Sequence, residues 1–256
     1  MCLIGVAVES HPDFPLIVIA NRDEFHNRET ARANWWQDDP DILGGIDLKA
    51  GGTWMAVHRD GRWGCVTNYR DLRFPEKQHA PSRGELIPDW LQGDMPAETY
   101  LSRLASNASQ YNGFNLLLGD GSEVVHFSNR ENKINRLKPG IHGLSNHLLD
   151  TPWPKVKTLK SDLQNFVLQE KISSESLFAM LQNRQIAPDD HLPSTGVSID
   201  WERKLSAMFI ESEGYGTRVS TVMTVDRVGQ LYFEERSFVP AGDPATFEWK
   251  LYPNNP

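Results

Sequence analysis

An Asp60-Gly61 pair stands between two short apolar runs, residues 53–58 and 62–68. Asp-Gly supplies the positive φ that a tight hairpin turn requires, so the two runs read as antiparallel strands. The pattern recurs. Residues 2–9 and 16–20 are β-branched apolar runs joined by a proline-bearing loop at 11–15, and residues 218–225 and 231–235 flank Gly229-Gln230. Further strands are expected at 114–119, 123–129 and 140–145. Between them, residues 96–111 and 153–169 carry apolar side chains at helical spacing; in the second, Trp153, Val156, Leu159, Leu163 and Phe166 share one face. Paired strands separated by helices point to antiparallel sheets covered by helices, an α+β chain rather than a parallel βαβ one.

The 256 residues carry no proline-, glycine- or serine-rich linker and no long internal repeat, so one domain over 1–256 is expected. Residues 74–83 and 186–215 read as loop and are candidates to border a site. A net charge of −8 argues against nucleic acid and anionic membrane surfaces, which attract basic proteins. No apolar run approaches the ~20 residues of a membrane-spanning helix, and no basic region precedes the opening strand as a secretory signal would require. Two cysteines, Cys2 and Cys65, suit a reducing compartment, so a cytoplasmic location is expected. No phosphate-cradling glycine loop and no metal-ligand spacing occurs, and no cofactor is expected.

Cys2 is the sharpest chemical feature. It follows an initiator Met that a small neighbour allows to be removed. The residue would then carry a thiol, with a pKa of about 8.5, beside its own α-amine at about 7.7–8.0. Nucleophile and base on one residue is the N-terminal-nucleophile arrangement. A buried small hydrophobe at a strand start is the competing reading. Asn21-Arg22-Asp23-Glu24-Phe25 follows the second strand and reads as a polar turn. In a hairpin, residues 21–23 lie at the same sheet end as residue 2, bringing Arg22 and Asp23 near the Cys2 thiol and amine. Otherwise the segment is a solvated turn. Asn68, ending the strand after the Asp60-Gly61 turn, can donate to an oxyanion. Asn146, with His147 beside it, lies at another strand end, and Arg218 at the start of a late strand can bind a carboxylate or support Cys2. Turn formation and surface ion pairing are the simpler readings of these three.

In order along the chain stand Cys2-Leu3-Ile4, Asn21-Arg22-Asp23-Glu24, Gly51-Gly52-Thr53-Trp54, Val66-Thr67-Asn68, Ser82-Arg83-Gly84, Gly143-Leu144-Ser145-Asn146 and Gly216-Thr217-Arg218. This ordered set, spanning residues 2 to 225, resembles the NRDE family. That family is similar to N-terminal-nucleophile hydrolases of the choloylglycine hydrolase and penicillin V acylase type. The resemblance implies a four-layer αββα sandwich and cleavage of a linear amide in a small-molecule acyl-amide substrate. It also implies roles: Cys2 as nucleophile, Asp23 on its α-amine, Arg22 beside the thiolate, Asn68 as oxyanion donor, Asn146 as a polar site residue and Arg218 as a support for Cys2. In the acylase group two residues separate the arginine and the aspartate, whereas Arg22 and Asp23 are adjacent, and adjacent strand residues point to opposite faces. Both reach one site only if the strand has already turned into a loop. The resemblance carries one alternative, a haem- or lipid-handling protein on the same scaffold.

Overall fold

The structure, a computed structural model, describes residues 2–121, 123–169 and 171–251. Its elements in chain order begin with β1 (Cys2–Val8), β2 (Leu16–Phe25), β3 (Thr30–Trp35), β4 (Ile42–Asp47), β5 (Met55–His58) and β6 (Trp63–Asn68). Then come α1 (Leu86–Leu91), α2 (Ala97–Ala105), β7 (Phe114–Gly119), β8 (Val124–Ser128), β9 (Lys133–Arg136), β10 (Gly140–Leu144), α3 (Pro154–Phe166) and α4 (Ser174–Leu181). The last are α5 (Ile199–Ser206), β11 (Glu211–Ser212), β12 (Tyr215–Val225), β13 (Gln230–Ser237) and β14 (Ala245–Lys250). Among the described residues no helix is long and apolar enough to cross a membrane.

The chain divides into two compact units. Among the described residues, the first comprises those within 2–27, 70–75 and 139–249. Its sheet runs β10-β1-β2-β12-β13-β14, with β11 on β12. Helices α3 and α4 cover one face, where Leu3, Ala7, Ile17, Ile19 and Val222 pack with Leu159, Leu163, Leu177 and Leu181. Gly5 and Gly143 are cross-strand partners beneath α3. A Cβ on Gly5 would lie 2.6 Å from Leu163, and one on Gly143 would lie 2.7 Å from Val156. Two bare positions side by side therefore let the helix settle onto the sheet.

Among the described residues, the second unit comprises those within 28–69, 76–138 and 250–251. Its strands follow chain order, β3 through β9, every neighbour antiparallel. Its core joins Ile42, Ala56, Leu116, Leu118 and Val125 of the sheet to Ile87, Trp90, Leu101 and Leu104 of α1 and α2. The Arg59-Asp60-Gly61 turn forms as expected, with Gly61 at φ +98°. Two antiparallel sheets with helices on them are the α+β class expected of the sequence.

Two local expectations are corrected. The strand expected to end at Ala20 continues to Phe25, so the polar 21–25 stretch is strand, not turn. It is held on both edges, by β1 and by β12, and this double pairing satisfies a backbone whose side chains carry no strand signal. The loop-like 186–215 stretch contains a helix, α5, whose N-cap Ser198 accepts from Trp201 N.

Candidate functional site

Cys2 opens β1, and its Cα partner on β2 is Arg22. Cross-strand partners share a face, so Cys2, Ile4 and Val6 lie with Arg22, Ala20 and Val18. Leu3 and Ala7 lie on the opposite, helix-covered face. Strand alternation then puts Asn21 and Asp23 on the helix side and Arg22 and Glu24 on the Cys2 side. The side-chain contacts agree. Asn21 Nδ2 donates to the carbonyls of Leu181 and Met208, both at 2.8 Å. Arg22 Nη2 lies 4.0 Å from Glu24 Oε2. Since β2 does not turn away, Arg22 and Asp23 flank the Cys2 end of the sheet from opposite faces. The thiol side belongs to Arg22, while Asp23 lies on the helix side.

Asp23 is fully buried. Thr217 Oγ1 donates to its Oδ1 at 2.7 Å. Burial pushes the Asp23 carboxyl up, against the pull of Lys155, the Thr217 hydrogen bond and Arg22. Burial likewise raises the Cys2 thiol; Asp23 and Glu24 add to that and Arg22 opposes it. Cys2 is 8% exposed and forms no disulfide. Its surroundings are polar nonetheless: Ser145 Oγ donates to the Cys2 carbonyl at 3.2 Å and to Asn146 Oδ1 at 3.3 Å. The β1–β10 register, Ile4 opposite Leu144, carries Asn146 to the level of Cys2 just beyond the end of β10. Asn146 is fully buried, and its carbonyl accepts from Arg70 N at 2.7 Å. His147 Nδ1 lies 2.9 Å from Thr151 Oγ1.

Arg218 occupies the slip where β12 shifts register against β2, between Thr217 opposite Asp23 and Val219 opposite Arg22. A residue in a bulge re-aims its side chain. The buried Arg218 guanidinium donates from Nε to the Val239 carbonyl at 2.8 Å and from Nη1 to the Phe25 carbonyl at 3.2 Å. Cys2, Arg22, Asp23, Asn146 and Arg218 thus all belong to the first unit. Asn68 belongs to the second, where it ends β6 opposite Phe114.

Three charged residues of the first unit escaped the sequence reading. Lys155, in the first turn of α3, is 3% exposed. Burial is the main reason its ammonium is held down to about 8, with Arg70 adding and Asp23, Cys2 and Glu202 opposing. Arg70 Nη2 donates to Glu202 Oε2 at 3.1 Å, and both side chains are buried. The Arg70 guanidinium also lies 4.7 Å from the Trp153 ring centroid. Glu202 Oε1 in turn accepts from Thr195 N at 2.9 Å and Thr195 Oγ1 at 2.6 Å. A signal for Lys155 was present: it sits four residues before Leu159 on the apolar stripe of α3, where a solvated lysine has no place. Arg70 and Glu202 are 132 residues apart, and neither has a local cue.

A cavity of about 410 Å³ opens on the helix side between the start of α3 and the segment after α4, lined in part by Lys155, Thr158, Asn183, Ile186, His191 and Met208. Among the described residues no three His, Cys, Asp or Glu side chains converge as metal ligands.

This fold is shared with a solved structure of another protein. A solved structure of the C2A mutant of a conjugated bile acid hydrolase from Clostridium perfringens matches 98% of this chain and 98% of its own, with a TM-score of 0.52 at 8% identity. The likeness defines the class of scaffold, an N-terminal-nucleophile-hydrolase-like fold. The chain itself belongs to the Transport and Golgi organisation 2 family, whose model matches residues 1–240. The mouse Transport and Golgi organization 2 homolog is 34% identical over 98% of this chain and 96% of its own length. The human homolog is 33% identical over 98% of each. Membership bears out the NRDE resemblance read from the ordered motifs.

Proposed function

We propose that the chain is a cysteine N-terminal-nucleophile hydrolase of a linear amide, acting as a single domain over 1–256. The observation that carries this reading is the strand pairing of Cys2 with Arg22, with Asp23 on the next residue and Asn146 level across β10. After removal of the initiator Met, the Cys2 α-amine takes the thiol proton. The thiolate sulfur attacks the amide carbonyl carbon, the C–N bond breaks, and the departing amine receives that proton. Water then attacks the acyl-thioester, releasing the acid and restoring the thiol. Arg22 favours the thiolate from its own face, and Asp23 orients the amine from the other. Arg218, in the β2–β12 slip, supports the strand end that carries Arg22 and Asp23, and the Asn146 amide contacts the reacting acyl group. The bile acid hydrolase likeness supports the scaffold, and small-molecule acyl-amides are the substrate class. Screening N-acyl amino acids, penicillin V and bile-salt conjugates against wild type and Cys2→Ser tests this. Turnover lost in Cys2→Ser is expected; a Cys2→Ser protein as active as wild type ends the reading.

A further inference from the structure

Lys155 presents a buried ammonium that donates to no hydrogen-bond partner among the described residues. Such a group is costly to bury, and a chain retains one where its charge is used. Asp23 lies on the helix-covered side of the sheet that α3 packs against, and the charges that bear on the Lys155 ammonium come from four places: Asp23 on β2, Arg70 in the segment after β6, Glu202 on α5, and Cys2 on β1. The charge of Arg22 also bears on Asp23, and that of Asp23 on the Tyr215 phenol. We propose that Lys155 is a positioning residue for the Cys2 nucleophile, its ammonium fixing the charge of Asp23 and thereby the balance between the Cys2 thiol and α-amine. This inference rests on the nucleophile reading above and adds a residue that the motifs do not contain.

The charge count supports it. At their formal charges, the side chains whose charges bear on Cys2 and Lys155, namely Arg22, Arg70 and Lys155 against Asp23, Glu24 and Glu202, sum to zero; the Arg218 guanidinium, held by two backbone carbonyls, stands outside this cluster. Two forms of mature Cys2 preserve that neutrality: the uncharged residue and the ammonium–thiolate pair. A proton passing from sulfur to nitrogen then leaves the net charge of the buried cluster unchanged. Removing the Lys155 charge leaves the cluster at −1, which opposes the thiolate and favours the ammonium. Thr217 holds Asp23 Oδ1 in place whichever state Lys155 adopts.

The test compares full-length wild type, Lys155→Met and Lys155→Arg. The rate of Cys2 alkylation by iodoacetamide is followed from pH 5 to 10 by peptide mass spectrometry, with folding checked by circular dichroism. Lys155→Met is expected to move the labelling midpoint upward by about half a unit or more, and to slow labelling at pH 7 by about three- to tenfold. Lys155→Arg is expected to restore it. A wild-type midpoint in Lys155→Met overturns the inference while leaving the nucleophile reading intact. Wild-type Cys2 that resists labelling throughout overturns the nucleophile reading instead. A second measurement requires no Lys155 variant. Lysine side-chain NMR of wild type and Cys2→Ala is expected to show one lysine titrating near 8, its midpoint lower in Cys2→Ala because the thiolate's attraction is gone. An unshifted midpoint overturns the proposal, since coupling between two sites is reciprocal.

Discussion

Thr217 Oγ1 donates a 2.7 Å hydrogen bond to Asp23 Oδ1 beside the slip in the β2–β12 register. The same hydroxyl oxygen accepts from Ile210 N at 2.8 Å. One small side chain therefore joins the buried carboxylate to the chain entering β11. Thr217→Val keeps the shape and removes both bonds. A buried acceptor and a buried N–H left without this partner cost about 1–3 kcal/mol. Thr217→Ser is expected to retain most of the stability. Urea unfolding reads the difference, and an unchanged midpoint in Thr217→Val contradicts this role.

The first letter of the Asn-Arg-Asp-Glu motif is a structural clip. Asn21 is fully buried, and its amide bridges the Leu181 and Met208 carbonyls. Its Oδ1 accepts from Ser220 Oγ at 2.5 Å. Asn21→Leu fits the apolar surroundings by size but strands three polar groups, so a loss of about 2–4 kcal/mol is expected. The measurement is the shift in unfolding midpoint. Stability equal to wild type would show that these bonds are replaceable.

Asp150 predicts the acid limb of stability. Burial alone would raise its carboxyl, yet His142, Lys160 and the Gly143 amide together hold it down to about 2. His142 Nδ1 lies 3.0 Å from Oδ2, while Lys160 Nζ and Gly143 N donate to Oδ1 at 2.6 and 2.9 Å. A carboxyl depressed in the folded state stabilises above its unfolded value of about 3.9, and that contribution fades as pH falls toward 2. Asp150→Asn is expected to be less stable than wild type by about 1–2 kcal/mol at pH 7, with the gap closing below pH 3. Asn also tolerates the positive φ of 58° at this position. Unfolding curves at pH 7 and 2.5 decide it; a gap of equal size at both would contradict the linkage.

Local chemistry was legible in the sequence and distant pairing was not. The Asp60-Gly61 turn and α3 are set by neighbours within a few residues, and both stand where expected. The second half of β2 was hidden because Asn21 to Glu24 carry no apolar alternation. Their strand state depends on β12, nearly two hundred residues later. Strand β4 was missed because Gly44 and Gly45 interrupt its apolar run. At the site, the hairpin expectation put residues 21–23 at the sheet end of residue 2, and the register then pairs Arg22 with Cys2. The opposed faces of Arg22 and Asp23 followed only once β2 was seen to continue. Lys155, read as part of a helix, was visible as a lysine on an apolar stripe; the carboxylate it faces was not.

The most direct test is the intact mass of the purified protein combined with mapping of its alkylated cysteine. An N-terminal nucleophile requires a mature chain beginning at Cys2, with label on Cys2, a mass increase matching a trapped acyl group when a slow amide substrate is supplied, and neither label nor acyl group in Cys2→Ala. A chain that keeps its initiator methionine, or an acyl adduct that persists in Cys2→Ala, would contradict it.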